Sequence, residues 1–385
     1  MMDHLVDERY MKRALALAER GRLYVSPNPM VGAVLVKDGR VIGEGYHRAF
    51  GKPHAEVEAI RDAVNRGESP AAATLYVTLE PCCHHGKTPP CTEAIVSAGI
   101  ARVVCACADP NSLVNGKGFR SLESARVECC RGILDDETHR LNEKYFTYTS
   151  TGNPFVMVKI AATLDGKVAS AVGLRTHITG EKSLRYVHRL RSEYDAIMVG
   201  SGTVLTDNPR LTCRQVKGGR LPIRVIVNTR GDLSPEFKVF DKTDGAGRIL
   251  VTTKIITDAA VENFTSRGVK VVITGSNEGR VDLESTLKEL GRSGISSVLA
   301  EAGPRLAGAL FKHSLVNKAC FCLAPMIFGS GSALPALDGV SFGLPGHLEA
   351  PHLTDIKISR FGHDVAVEGR VISQKVRTEK VEEIP

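Results

Sequence analysis

The sequence predicts an α/β protein built from two domains, and three observations carry that expectation. At 385 residues the chain exceeds what one ordinary hydrophobic core organises. Short, mostly apolar strand-like runs alternate with amphipathic helical segments, a pattern of sheets covered by helices on both faces. Between residues 149 and 154 the composition shifts to the small polar run Thr-Ser-Thr-Gly-Asn-Pro, which sets expected domains at 1–150 and 151–385.

Each element has its own warrant. Asp7 to Arg20 carries Met11, Leu15 and Ala18 among charged residues and reads as an amphipathic helix stopped by Gly21. Ser26-Pro27-Asn28-Pro29 is a loop, and the apolar runs Val31–Val36 and Arg40–Gly45 flank Asp38-Gly39 as a hairpin. A helix is expected from His54 to Asn65, strands over Thr74–Leu79, Arg102–Cys107 and Ala125–Cys130, and a helix over Asp135–Tyr148 burying Leu141 and Phe146. Beyond the junction, Phe155–Ala161 is an apolar strand interrupted by Lys159, a charge that either snorkels at an edge or faces a cleft. Thr179 is placed to cap a helix running to Ser192. Strands follow at Asp195–Gly200, Ile223–Asn228, Arg248–Thr252, Val269–Ile273 and Ser297–Glu301, with helices over Asp258–Ser266 and Leu283–Arg292.

Composition bounds the function. A 43% hydrophobic and 24% charged chain is globular, and no apolar run approaches membrane-spanning length, so no membrane partner is expected. The first residues lack a signal-peptide pattern, and ten cysteines without one predict reduced thiols in a cytoplasmic protein. The net charge of +7 is dispersed, which suits an anionic small molecule better than nucleic acid. With no Trp and 5% aromatic residues there is no base-stacking platform.

The chemistry concentrates between His54 and Cys91. His54-Ala55-Glu56 is followed by Pro81-Cys82-Cys83-His84-His85 and, after a Pro-containing loop, Cys91. One imidazole and two thiolates make a zinc site with its fourth position open, and a nearby carboxylate takes and returns a proton. That division of labour is the one in zinc nucleobase deaminases, whose signature is H-x-E followed by P-C-x-x-C. The cysteine loop here is longer, and Cys83, His84 and His85 compete as third ligand on composition alone. Cys91 is favoured because a helix over Thr92–Val96 would present its N-terminus to that thiolate. In the second half, Glu301 to Ala309 follows a strand and opens a helix; its glycine turn could cradle a phosphate, but it lacks the G-x-G-x-x-G dinucleotide fingerprint and, taken alone, reads first as a structural helix start.

Ser26-Pro27-Asn28-Pro29-Met30-Val31-Gly32, His54-Ala55-Glu56 and Glu80-Pro81-Cys82 through Thr88-Pro89-Pro90-Cys91 together resemble the deaminase half of the bifunctional riboflavin-biosynthesis deaminase-reductases. Lys159, Leu164-Asp165-Gly166, Thr203–Pro209 and Glu301-Ala302-Gly303 resemble the reductase half, so the likeness spans essentially the whole chain. It implies a cytidine-deaminase-like α/β/α sandwich followed by a dihydrofolate-reductase-like α/β domain. It implies zinc held by His54, Cys82 and Cys91, with Glu56 as proton shuttle, because a long Cys82-to-Cys91 loop is that family's pattern. The substrate implied is a diaminopyrimidinone bearing a ribosylamino 5-phosphate, lined by Asn28, His47, His84, Lys87 and Thr88. The second reaction implied is NADPH-dependent reduction of the ribosyl chain to ribityl, with Lys159 polarising or protonating the reacting carbon. By matching position, Ala161, His177, Thr203, Asp207, Thr229 and the run Gly303, Pro304, Arg305, Leu306, Ala307, Gly308 and Ala309 would bind NADPH. Arg175, Arg191, Leu211, Arg214 and Glu301 would hold the reductase substrate. The chain departs from the family at Cys83, where Ser is common, and at Arg175 and His177, where Ser and Trp are frequent. Members of the family assemble as dimers or tetramers, so a homo-oligomer is implied.

Overall fold

A computed structural model describes residues 2–216, 218–329, 331–343 and 349–372. The chain forms two compact units, Met1–Gly152 and Asn153–Pro385. Among the described residues no helix is long and apolar enough to cross a membrane.

The first unit runs α1 Met2–Ala18, β1 Gly32–Lys37, β2 Arg40–Tyr46, α2 Ala55–Asn65, β3 Thr74–Leu79, α3 Cys91–Ser97, β4 Arg102–Cys107, α4 Lys117–Ser124, β5 Glu128–Arg131, α5 Asp135–Leu141 and α6 Glu143–Thr151. Its sheet has the order β2-β1-β3-β4-β5, antiparallel through β1 and parallel from β3 to β5. Asp38 and Gly39 both take positive φ (51° and 71°), the turn that a two-residue hairpin requires. Strand alternation divides the apolar side chains between two faces. Leu35, Leu75, Val77, Val103 and Cys105 pack with Ala59 of α2, Ile95 of α3 and Phe119 of α4. Val34, Tyr76, Val104 and Ala106 pack on the other side with Tyr10, Met11, Ala14 and Leu17 of α1. The result is a helix–sheet–helix sandwich.

The second unit runs β6 Phe155–Thr163, β7 Lys167–Ala169, α7 Glu181–Glu193, β8 Ala196–Gly200, α8 Ser201–Asp207, β9 Ile223–Val227, β10 Arg248–Thr252, α9 Asp258–Ser266, β11 Lys270–Ile273, β12 Ser276–Asn277, β13 Arg280–Val281, α10 Leu283–Arg292, β14 Ser297–Ala300, α11 Pro304–Lys312, β15 Lys318–Ala324, β16 Leu334–Pro335, β17 Leu353–Phe361 and β18 Asp364–Val371. Nine strands form one sheet in the order β11-β10-β9-β8-β14-β6-β15-β18-β17, parallel as far as β15 and antiparallel at β18 and β17. Val156, Val158 and Ile160 of β6 face α10 and α11, while Phe155 and Met157 face Leu190 of α7. Both faces are therefore covered, as near-continuous apolar parallel strands require.

Several expectations need correction. The helix expected over Asp135–Tyr148 is two helices broken at Asn142, and Leu141 and Phe146 are half-buried rather than buried. The break has a cause: Asn142 is buried, accepts the Met30 N–H at 2.7 Å and donates to the Met30 carbonyl at 2.9 Å. Ala125 is not in a strand but terminates α4, a helix hidden in the sequence by Gly116 and Gly118. A Cβ at Gly118 would stand 2.1 Å from the Pro81 carbonyl, so close helix approach demands glycine there. Thr179 does not cap α7; Gly180 does, and its N–H and the Ser183 hydroxyl both bond the Asp364 carboxylate brought in from β18. The polar run after residue 148 is still helical to Thr151, ended by Gly152 at φ 72°.

Candidate functional site

His54 is the N-cap of α2, so Glu56 falls in the first turn. That turn lies unusually near β2, since a Cβ at Gly45 would sit 2.3 Å from the Ala55 carbonyl. β3 delivers Glu80-Pro81-Cys82, and Cys91 is the first residue of α3. The ligand atoms of His54, Cys82 and Cys91 lie within 4.8 Å of one another. His54 Nδ1 is 3.5 Å from Cys82 Sγ and 3.3 Å from Cys91 Sγ, and the Cys91 amide donates to Cys82 Sγ at 3.4 Å. The Cys91 thiol and the His54 ring favour thiolate at Cys82, whereas Cys91 itself is pushed up. Of the competing side chains, Cys83 turns to the Leu113 carbonyl at 3.8 Å.

Glu56 is buried, and burial pushes its carboxyl up to about 6 despite His54. Its Oε2 is buried with no hydrogen-bond partner among the described residues. A nitrogen–sulfur–sulfur donor set beside an unpartnered buried carboxylate oxygen fits a zinc ion that leaves room for one further reacting group.

These residues open on a cleft of about 230 Å³ that Asn28, His47, His84, Lys87 and Thr88 also line. His47 is buried, and its Nδ1 lies 3.1 Å from the Pro53 carbonyl, which can only accept. Its Nε2 is then the acceptor for Asn28 Nδ2 at 3.2 Å, which leaves the Asn28 carbonyl oxygen for another partner. Thr88 Oγ1 is 3.5 Å from His54 Nε2, and Lys87 Nζ stands 3.9 Å from the centre of the Phe50 ring. Phe50, Asp109, Asn111 and Tyr145 line the same cleft and were not found by sequence reasoning. Asp109 accepts from Tyr145 at 2.8 Å, and burial raises its pKa. The available signal was Asp109-Pro110-Asn111, a polar run just past the carboxyl end of β4. Glu80 was missed too: its carboxylate takes N–H bonds from Gly116 and Gly118, both at 2.9 Å, and from Phe119 and Asp109 at 3.3 Å. It ties the start of α4 to the Cys82 loop.

In the second unit, Lys159 lies on β6 opposite Cys320 of β15. Arg191 and Glu301 meet each other in a bidentate pair at 2.6 and 2.8 Å, and Arg191 Nη1 also donates to the Thr212 carbonyl at 3.1 Å. Burial alone would raise the Glu301 pKa, but Arg191 and then Lys159 bring it below the usual carboxylate range. β6, β14 and β8 are adjacent and parallel, so Ala161, Glu301 and the starts of α8 and α11 gather at their carboxyl ends. A Cβ at Gly303 would stand 3.3 Å from Thr203 Oγ1, and one at Gly202 would meet nothing within 4 Å. Two neighbouring helix N-termini, with open space at Gly202, fit a phosphate-bearing cofactor. Asp207 is raised by burial and held down in part by the charges of Arg175 and then His177, so these three lie together.

The remaining expected contacts lie as follows. Ala307 and Gly308 face the core, where a Cβ at Gly308 would come 2.1 Å from the Asp338 carbonyl. Leu306 and Ala309 pack against that same core, Pro304 opens α11, and Arg305 is exposed with Asp338 at 3.5 Å. Leu211 is buried at a positive φ of 51°. The Thr229 hydroxyl accepts the Val281 N–H at 3.4 Å. Arg214 is exposed and lines a separate cleft with Arg210 and Lys238.

A model of the cytidine and deoxycytidylate deaminase zinc-binding region matches residues 5–107, and one of the RibD C-terminal domain matches 154–367, more than half the chain. The riboflavin biosynthesis protein RibD of Aquifex aeolicus is 39% identical over 94% of this chain and 98% of its own length. The chain belongs to the RibD family. The RibD of Escherichia coli K12 is 37% identical across 94% of this chain and 98% of that protein. A Thermotoga maritima diaminohydroxyphosphoribosylaminopyrimidine deaminase/5-amino-6-(5-phosphoribosylamino)uracil reductase is 39% identical with a TM-score of 0.82, covering 96% of this chain and 100% of that one. An Acinetobacter baumannii RibD structure gives 0.85 at 33% identity over the same shares. As a RibD family member the chain is a bifunctional deaminase and reductase of riboflavin biosynthesis, with a zinc-binding deaminase region and a reductase domain.

Proposed function

We propose that residues 1–150 deaminate a diaminopyrimidinone carrying a ribosylamino 5-phosphate, and that residues 151–385 reduce its ribosyl chain to ribityl with NADPH. The observation that carries the first half is the buried Glu56 carboxylate, whose Oε2 has no partner among the described residues, beside His54, Cys82 and Cys91. Those three residues would hold zinc, which supplies Lewis acidity and lowers the pKa of water to the neutral range. Glu56 takes the proton of the attacking water and returns it to the departing amine. Asn28, its amide fixed by His47, offers a carbonyl oxygen to a ring or amine donor of the base. His84 lines the same pocket, with Lys87 and Thr88 presenting a cation and a hydroxyl to the phosphate.

In the second half bound NADPH would supply the hydride for the first carbon of the ribosyl chain. Lys159 supplies positive charge or a proton at the reacting centre, and its ammonium lies within electrostatic reach of Glu301. Ala161, Thr203, Gly303 and Pro304 offer the approach to the cofactor's phosphates, with Asp207, His177, Thr229 and the exposed Arg305 at its margins. Arg175, Arg214 and the backbone at Leu211 hold the substrate, and Arg191 acts with Glu301 as one hydrogen-bonded unit. A cytoplasmic homo-oligomer, dimer or tetramer, completes the proposal.

Mass spectrometry of products from zinc-loaded protein, given the ribosylated diaminopyrimidinone phosphate with and without NADPH, tests both halves. Exchange of amine for oxygen without NADPH, and addition of two hydrogens only with it, is the expected result. Exchange retained in a Glu56→Gln variant of full zinc content would overturn the assignment of Glu56.

A further inference from the structure

We propose a second divalent-metal site in the first unit, built from Cys107, Asp135 and His139. It shares no residue with the His54 site. One ligand atom from each of the three lies within 4.8 Å of the others. Asp135 and His139 are four apart on α5, the spacing that places two side chains on one helical face. His139 Nε2 stands 3.7 Å from Asp135 Oδ2. A tetrahedral zinc with bond lengths of about 2.0–2.3 Å separates its ligands by about 3.3–3.8 Å, so little movement closes the site.

The third donor comes from elsewhere in the fold. Cys107 is the last residue of β4, and its thiol donates to the Thr78 carbonyl at 3.7 Å. His139 stacks on Phe146 with ring centres 4.0 Å apart, which limits the orientations of its imidazole. Asp135, Asp109 and Glu80 all press negative charge on the Cys107 thiol, a field that attracts a cation. The N-terminus of α5 would oppose one, but Asp135, Asp136 and Glu137 in that first turn offset the dipole. Sulfur, nitrogen and oxygen together select a borderline metal such as Zn(II) or Co(II) over Mg(II) or Ca(II). His139 and Asp135 are each close to half exposed, leaving a fourth position for water. Bound metal would clamp α5 to the carboxyl end of β4, a structural role.

The test uses the full chain, stripped of metal, reloaded with Co(II) and desalted. Wild type should hold two ions per chain, and Cys107→Ser and His139→Ala should each hold one. Both variants should keep deaminating, since neither touches the His54 site, whereas His54→Ala should lose activity yet retain one ion. The thiolate-to-cobalt absorption should fall in Cys107→Ser by roughly the share of one ligand in three. A single ion per chain in wild type, or two ions in both Cys107→Ser and His139→Ala, would overturn the proposal.

Discussion

Arg191 and Glu301 each read as a substrate contact when taken singly, yet their side chains answer one another first. Arg191 is only 11% exposed, and its guanidinium is neutralised by Glu301 before any ligand arrives. Glu301→Gln leaves that cation without a counter-charge, at about 1–3 kcal/mol of stability. Thermal denaturation should register the loss, and the kcat of reduction should fall while deamination holds; equal losses in both activities would refute the assignment. Residues such as His54, Glu56, Cys82 and Cys91 were legible in the sequence because their chemistry is local and their spacing short. Glu80 was not, because the amides it caps belong to Gly116, Gly118 and Phe119, a helix its own neighbourhood does not foretell. Leu211 is a different case: its side chain belongs to the core, so the contact proposed for it falls to its backbone.

At the scale of elements, α2 owes its position to glycine. A methyl at Gly45 would meet the Ala55 carbonyl at 2.3 Å and the Ala59 nitrogen at 2.4 Å, so Gly45→Ala must push the first turn of α2 off β2. Overpacking of this kind typically costs about 1–3 kcal/mol. Because that turn carries His54 and Glu56, zinc affinity should fall about tenfold or more in equilibrium dialysis, and unchanged affinity would show that the turn is not held there. The other side of the sheet is pinned by charge: Asp7 of α1 takes Arg102 of β4 at 2.8 and 3.0 Å and Tyr76 of β3 at 2.8 Å. Burial alone would raise the Asp7 pKa, but these bonds from Arg102 and Tyr76 lower it overall. A lowered carboxyl stabilises the fold above the unfolded-state pKa and loses that effect as pH falls through the folded value. Unfolding free energies from urea titrations of wild type and Asp7→Asn should therefore differ by about 1–3 kcal/mol at pH 7 and converge as the pH falls below about 4; a constant gap would exclude the pair as its source. Strands were the most legible elements, β3, β4 and β10 falling where apolar runs begin and end. Helices whose boundaries rest on distant partners, as α7 rests on Asp364 and the α5–α6 break on Asn142, were not.

At the scale of the whole molecule, the residues proposed for each activity belong to one unit. His54, Glu56, Cys82 and Cys91 lie within Met1–Gly152, and Lys159, Arg191 and Glu301 within Asn153–Pro385. The two activities should accordingly separate. Glu56→Ala protein supplied with the already deaminated ribosylated compound should reduce it at close to the wild-type rate, measured by NADPH absorbance. A loss as large as that of deamination would mean that the halves are energetically linked. The α/β class and the two-part organisation were legible from alternation and length, whereas the partners that complete each site were not, because they converge from strand ends far apart in sequence. Asn142 bears on where such a chain can be divided. Its amide serves Met30 as a neighbouring strand would, bracing the Pro29-Met30 segment next to Asn28 from 112 residues away. A free-standing deaminase half cut before that residue would keep every metal ligand and lose the brace under its substrate loop, so the minimal autonomous fragment is set by a hydrogen-bond partner rather than by the last strand.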